Sequence, residues 1–163
     1  MKLDRNGIDF IKDFEKLSLT PYLCQGKKWT IGWGHTKGVT ADTPAITLRK
    51  AALLFHEDVS EVEAAIDKHV TVALTQNEFN ALVSFAFNAG VGPLRTSTLV
   101  HKLNQGDKQA AAREFGRWIY VDMDPRPDVR DMQPSEGLRK RRRAETEMFL
   151  ADFQEKRDKA SAG

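Results

Sequence analysis

Residues 74–90 read LTQNEFNALVSFAFNAG, and the rest of the predicted structure is arranged around this segment. It begins with Thr75 and Glu78, three positions apart, which form a capping box, the local pattern that starts a helix. Apolar side chains then occupy nearly every side of the helix as far as Gly90. A helix that is apolar all round has to be buried, so we expect this helix to form the centre of the molecule.

The preceding segment predicts a longer helix, over residues 47–69. Its apolar residues recur at helical spacing; they are Ala51, Leu54, Phe55, Val59, Val62, Ile66 and, just beyond the end, Val70. At the rise of an α-helix this segment is roughly 33 Å long. A helix of that length can bridge two lobes of a small domain.

Two shorter elements come first in the chain. An apolar residue at every third position predicts an amphipathic helix over residues 7–16, which places Glu15 near its C-terminus. From residue 22 to residue 36, aromatic and β-branched residues flank turn-prone glycines. This pattern predicts a small β-hairpin region.

Beyond Gly90 the sequence predicts three more helices, over residues 94–104, 108–118 and 137–153. The stretch 122–135 contains three prolines and four aspartates, which predicts a loop before the last helix.

Together these elements predict an α+β arrangement in one domain covering residues 1–163. We expect a small hairpin lobe at about 16–46 and a connecting helix at about 47–69. A larger helical lobe, at about 74–153, then includes the N-terminal helix 7–16. A cleft between two lobes is a favoured position for a ligand.

Composition excludes several classes of protein. The chain has 163 residues, 40% hydrophobic and 29% charged, with a net charge of +2, which is typical of a globular domain. The single cysteine, Cys24, cannot form an internal disulfide. The first residues lack the apolar core of a signal peptide, and the longest uncharged run, 79–94, is too short to span a membrane. We therefore expect synthesis in the cytosol and no stable membrane insertion.

Neither a metal site nor a nucleic-acid site is indicated. The four histidines and Cys24 lack the paired spacing of a zinc site, so we expect no metal and no cofactor. The basic run RKRRR at 139–143 has no groove-reading motif beside it and is typical of a solvated helix face. We expect no nucleic-acid partner.

Glu15, Cys24 and Thr30 have a spacing that indicates a catalytic site. Cys24 follows Glu15 by nine positions, and Thr30 follows Cys24 by six. This spacing resembles the phage lysozymes, the muramidase-type endolysins, whose pattern is Glu, eight residues, Asp or Cys, five residues, Thr. Further similar segments follow in the family's order over nearly the whole chain: WTIGWGHT at 29–36, AALLFHEDV at 51–59, the stretch 74–90, STLVHKLNQGD at 97–107, AAREFGRW at 111–118 and GLRKRRRAE at 137–145.

The resemblance implies a lysozyme-like fold and hydrolysis of the β-1,4 bond between N-acetylmuramic acid and N-acetylglucosamine in bacterial peptidoglycan. Glu15 is then the general acid, which has to stay protonated near neutral pH and so requires partial desolvation. Cys24 and Thr30 handle the attacking water. Many members of the family carry Asp at the position of Cys24, and a thiol, which is mostly un-ionised at pH 7, is a weak base.

We expect three further residues to contact the substrate: Trp33 by stacking on a sugar, the adjacent Gly34, and Arg142. Arg142 shares an inward face of the last helix with Leu138, Glu145 and Phe149. We therefore expect Arg142, or the neighbouring Arg139, to approach Glu15 or the base of the cleft.

Three other functions stay open on the residues alone. A lytic transglycosylase needs the acid but no water-activating carboxylate. A thiol hydrolase would pair Cys24 with His35. A cationic module would bind lipopolysaccharide or nucleic acid through the basic run 139–143. Each of these residues also has a structural alternative to a role in catalysis or binding. A lone cysteine such as Cys24 is most often a buried apolar residue, and Trp29 and Trp33 can belong to the hydrophobic core.

An endolysin without an export signal has to leave the host cytoplasm through a separate membrane pore, a holin, to reach the periplasm. We expect it to act there on peptidoglycan as a monomer. The basic C-terminal helix offers an additional contact with lipopolysaccharide.

A carboxylate interrupts the apolar face of the long helix. Asp58 follows Phe55 by three positions, and an unpaired carboxylate is costly to bury. His35, at the end of the hairpin, is the nearest partner by topology and by resemblance to the family. We predict a structural ion pair between His35 and Asp58, and we expect it to lower the pKa of the aspartate.

Overall fold

The structure, a computed structural model, describes residues 1–124, 126 and 128–162. Within them, seven α-helices and two antiparallel strand pairs give the predicted α+β class. In chain order these elements are α1 (Arg5–Phe14), β1 (Ser18–Leu23), β2 (Trp29–Gly32), α2 (Leu48–His69), α3 (Gln76–Ala89), α4 (Val91–Thr96), α5 (Thr98–Asn104), α6 (Lys108–Glu114), β3 (Tyr120–Asp122), β4 (Met132–Pro134) and α7 (Glu136–Ser161).

Helix α3 forms the centre of the molecule, as the sequence predicts. The capping box is present: the Thr75 hydroxyl accepts from the Glu78 amide at 3.2 Å, and the Glu78 carboxylate accepts from the Thr75 amide at 2.8 Å. Every residue from Glu78 to Ala86 is buried. Helices α1, α2, α4 and α7 pack around α3, so each of them is positioned by this one apolar helix.

Helix α2 connects the β1–β2 hairpin to the helical core, because it packs against β2 and also against α3 and α4. Strands β1 and β2 are antiparallel, with Tyr22 opposite Thr30 and Leu23 opposite Trp29. Helix α1 ends at Phe14, and its C-cap, Glu15, already has an extended backbone. Glu15 therefore lies where the core helix α1 turns into the hairpin.

Three of the predicted elements are wrong in detail. The helix expected over residues 108–118 is α-helical only as far as Glu114 and continues as a 3₁₀ turn, Phe115–Arg117. The helix expected over residues 94–104 is two helices, α4 and α5, because Ser97 caps α5. The stretch expected as a loop, 122–135, begins and ends in the strand pair β3–β4, with Tyr120 opposite Pro134. Pro125 and Pro127, on which the loop prediction also rested, and Gly163 lie outside the described residues.

The last helix, α7, begins at Glu136, next to the predicted start, and continues to Ser161. Ser135 caps it by accepting from the Leu138 amide. Its first half packs on α3, and its buried residues are Arg141, Arg142, Glu145 and Phe149. In the part of the chain that the structure describes, no helix, α7 included, is long and apolar enough to cross a membrane.

Candidate active site

A cleft of about 710 Å³ lies between β1 and the start of α7. One wall consists of the end of α1 and β1, from Phe14 to Ser18 and from Tyr22 to Gln25. The other wall is Ser135 and the first turns of α7, and Asn88 from α3 completes the lining. The cleft thus forms where the hairpin faces the helical core.

Glu15 lies in this cleft with its side chain 17% exposed. Arg141 of α7 donates from Nη1 to Oε1 of Glu15. On the other side, Gly34 has a φ of +85°, and a Cβ there would come within 3.1 Å of Glu15 Oε2. Gly34, a predicted site residue, therefore lies against the carboxylate, in a conformation and a space that suit glycine.

Cys24 lines the same cleft as a free, partly exposed thiol. The turn that presents it is held by the Lys28 carbonyl, which accepts from the Cys24 amide at 2.9 Å and from the Thr30 hydroxyl at 3.0 Å. Thr30 itself is only 2% exposed and is not part of the cleft lining. The structure therefore places Thr30 behind Cys24 rather than on the open face of the cleft.

Tyr22 is a cleft residue that our sequence reasoning missed. It lies on β1, two positions before Cys24, which directly follows the strand, and both residues line the cleft. Burial raises the pKa of the Tyr22 hydroxyl, and the negative charges of Glu15 and Cys24 add to the effect. Alternation along a strand could have identified it, because residues two apart point to the same face.

Trp33 is not in the cleft lining, so the predicted stacking on a sugar has no support from its position. Its ring packs edge-on against Phe55 of α2, 6.0 Å between centroids, and Lys12 Nζ lies 4.0 Å from the ring centre. Because Phe55 belongs to the core, Trp33 completes the packing between the hairpin and α2.

Arg142 points inward, as expected, but it does not contact Glu15. Its side chain is 1% exposed and donates from Nη2 to Asn88, through which alone it reaches the cleft. Arg139 is half exposed and lies 3.9 Å from Glu136. The predicted contact with Glu15 is instead made by Arg141, because α7 packs on α3 with that residue turned toward α1.

His35 and Asp58 form the predicted ion pair, with Nδ1 and Oδ2 2.8 Å apart. The other ring nitrogen, Nε2, contacts the Lys37 carbonyl at 3.0 Å. Both ring nitrogens are therefore occupied, and His35 is not the partner that a Cys24 thiol hydrolase requires. The expected lowering of the Asp58 pKa is wrong: burial raises this pKa, and the opposing effect of His35 is smaller.

The basic run 139–143 is not a continuous surface patch. Arg141 and Arg142 are buried, and Arg143 pairs with Glu147 at 3.1 Å. The predicted lipopolysaccharide contact therefore loses two of its five cations.

Comparison with known proteins agrees with this geometry. The phage lysozyme family model matches residues 12–145. An endolysin of Acyrthosiphon pisum secondary endosymbiont phage 1 is 36% identical over 91% of this chain and 98% of its own length.

Two solved structures are similar over nearly their full length. The endolysin of Escherichia coli O157:H7 phage FAHEc1 has a TM-score of 0.79 and 35% identity, covering 92% of this chain and 94% of that one. The muramidase domain of SpmX from Asticaccaulis excentricus has a TM-score of 0.79 and 30% identity, covering 91% and 97%. The chain therefore belongs to the phage lysozyme family and is a glycoside hydrolase of the endolysin type, which degrades bacterial peptidoglycan.

Proposed function

We propose that the enzyme hydrolyses the β-1,4 bond between N-acetylmuramic acid and N-acetylglucosamine, with Glu15 as the general acid. The observation that supports this best is the position of Glu15, which is largely shielded from solvent at the wall of a cleft large enough for sugars. Breaking a glycosidic bond requires a proton on the leaving oxygen. A related solved domain carries the name muramidase, which favours the same bond.

In this proposal Cys24 and Thr30 handle the water. Cys24 lines the cleft with Glu15, and its thiol faces the space into which a water and a sugar ring can enter. Thr30 acts mainly by holding the turn, since its hydroxyl and the Cys24 amide donate to one carbonyl. Because Thr30 is only 2% exposed, its part in the proposal is to hold Cys24 in position for the water.

A lytic transglycosylase is the second candidate, because the cleft is poor in bases. Among the described residues that line it, Glu15 is the only carboxylate. A transglycosylase uses the acid and lets the muramic acid's own hydroxyl attack, so it forms an anhydro-sugar end. A hydrolase adds a water and forms a reducing end. Mass spectrometry of the products therefore distinguishes the two reactions, because they differ by one water.

The proposal includes the setting in which the enzyme works. It is made in the host cytoplasm, passes through a membrane pore formed by another protein, and lyses the host from the periplasm as a monomer. Contact of the remaining surface cations of α7 with lipopolysaccharide is a secondary part of the proposal.

Glu15→Gln tests the proposal in a turbidity assay on cells stripped of their outer membrane. We expect the variant to fold and to lose wall hydrolysis, because an amide cannot donate the required proton. Glu61→Gln is the matched control, since Glu61 is 62% exposed on α2 and away from the cleft. General acid catalysis contributes more than about tenfold to a rate. If the activity of Glu15→Gln is within about tenfold of the wild type, the proposed role of Glu15 is refuted.

A further inference from the structure

A second glutamate, Glu145, lies buried one layer behind the proposed acid. It is 0% exposed, on α7, and it is not part of the cleft lining. A carboxylate removed from water is unfavourable unless it is paired and hydrogen-bonded, so its partners reveal its role.

Oxygen Oε1 of Glu145 holds Arg141. It accepts from Arg141 Nε at 3.1 Å and from the Ser84 hydroxyl at 2.7 Å. Arg141 Nη2 in turn donates to the Ser84 carbonyl at 3.2 Å. With these groups engaged, the guanidinium of Arg141 has one orientation, in which Nη1 donates to Glu15.

Oxygen Oε2 of Glu145 lies 3.0 Å from Nη1 of Arg142, whose other nitrogen reaches Asn88 at the cleft. Burial lowers the pKa of Arg142 to about 10, so this arginine is still a cation at neutral pH. Glu145 therefore contacts both buried cations, Arg141 and Arg142, and Arg141 is shared with Glu15. Among the described residues, Lys16, Tyr22 on β1 and Cys24 just after β1 are further ionisable groups that line the cleft with Glu15.

We propose that Glu145 is a positioning residue for the reaction: it orients Arg141 on Glu15 and takes up part of the positive charge that would otherwise act on Glu15. Without Glu145, both arginines would favour loss of the proton from Glu15, the form that cannot donate to the leaving oxygen. Burial raises the pKa of Glu145, and the charges of Arg142 and Arg141 and the hydrogen bonds from Ser84 and Arg141 oppose this rise. The inference rests on the proposed role of Glu15.

Glu145→Gln is the test, because glutamine keeps the size of the side chain and removes its charge. We expect the alkaline limb of the kcat/KM profile on soluble peptidoglycan fragments to move to lower pH by about one unit, the size of effect that one neighbouring charge produces. At neutral pH, kcat should fall more than KM changes. Glu145→Asp, which keeps the charge, should leave the limb close to that of the wild type.

Glu114→Gln is the matched control. Glu114 is also buried and paired with cations, Lys102 and Arg117, but it lies on α6 and not in the cleft lining. Its variant should lose thermal stability and keep the wild-type pH profile per folded molecule. If Glu145→Gln is folded and its alkaline limb and kcat equal those of the wild type, the inference is wrong.

Two further variants keep the test decisive. If Glu145→Gln does not fold, Ser84→Ala takes its place, because this variant lacks one hydrogen bond to Glu145 and one to Arg141. We expect its kcat to fall several-fold with little change in KM. An unchanged kcat overturns the inference. Glu15→Gln, measured in parallel, separates this inference from the proposed function. If Glu15→Gln is active, the role of Glu15 is refuted. If Glu15→Gln is inactive and the pH profile of Glu145→Gln equals that of the wild type, only the role of Glu145 is refuted.

Discussion

Among single residues, Cys24 is the one at which substitutions can distinguish a catalytic role of the side chain from a packing role. Its thiol lines the cleft beside the proposed acid, and the family pattern accepts an aspartate there. We expect Cys24→Asp to remain active, because a carboxylate is an adequate base. We expect Cys24→Ala to lose activity on the order of 100-fold, the lower end of what a positioned base contributes.

The measurement is wall hydrolysis per folded molecule together with the masses of the products. Gly26→Ala is the control, since an added Cβ at Gly26 meets the Cys24 sulfur at 3.7 Å, an ordinary contact, and leaves the thiol in place. Full activity of Cys24→Ala would assign the thiol to packing alone. Anhydro ends in its products would then support the transglycosylase reaction.

At the scale of elements, Ser97 explains why one predicted helix became two. Its hydroxyl donates to the Leu94 carbonyl at 2.7 Å and accepts from the Val100 amide at 3.1 Å, so it closes α4 and caps α5. We predict that Ser97→Ala lowers the free energy of unfolding by about 1 to 2 kcal/mol, the range for a lost cap.

Urea unfolding checks this prediction, with Thr98→Ala as the control. Thr98 is the next residue, exposed at the first position of α5, and its substitution should change stability by less than about 0.5 kcal/mol. Equal losses in the two variants would show that the Ser97 cap contributes nothing of its own.

At the scale of the whole molecule, the pair between His35 and Asp58 joins the segment after β2 to α2, the helix that connects hairpin and core. The pKa of Asp58 is raised by burial. A carboxyl whose pKa is higher in the folded chain binds its proton more tightly when folded. Its contribution to stability is therefore full below the unfolded pKa of about 3.9 and is lost as the pH rises through the folded value.

Asp58→Asn removes this titration. We predict that the difference in unfolding free energy, wild type minus variant, falls as the pH rises from about 3 to about 7. Wall hydrolysis per folded molecule should change little, because Asp58 does not line the cleft. Asp42→Asn, at an exposed position, is the control and should show no such trend. A difference that grows with pH would mean that folding lowers the pKa of Asp58.

The sequence alone determined the features that depend on local patterns. The capping box at Thr75 and the apolar character of the following residues predicted α3 and its central position, because helix starts and amphipathicity are properties of neighbouring residues. The same periodicity predicted α2 to within one residue at each end and α1 to within two. The need of a buried carboxylate for a partner predicted that Asp58 is paired, and the topology and the resemblance to the family indicated His35 as its partner.

Which side chains meet in the cleft depends on how the helices and strands pack on one another, and the sequence patterns did not predict this packing. Consecutive residues on a helix point about 100° apart, so the choice between Arg141 and Arg142 depended on the rotation of α7 on α3, which many distant contacts set together. Likewise, the packing of β2 on α2 turned Trp33 toward Phe55, and the register with β1 placed Thr30 opposite Tyr22. These outcomes depend on contacts between segments far apart in the chain, which no local pattern records.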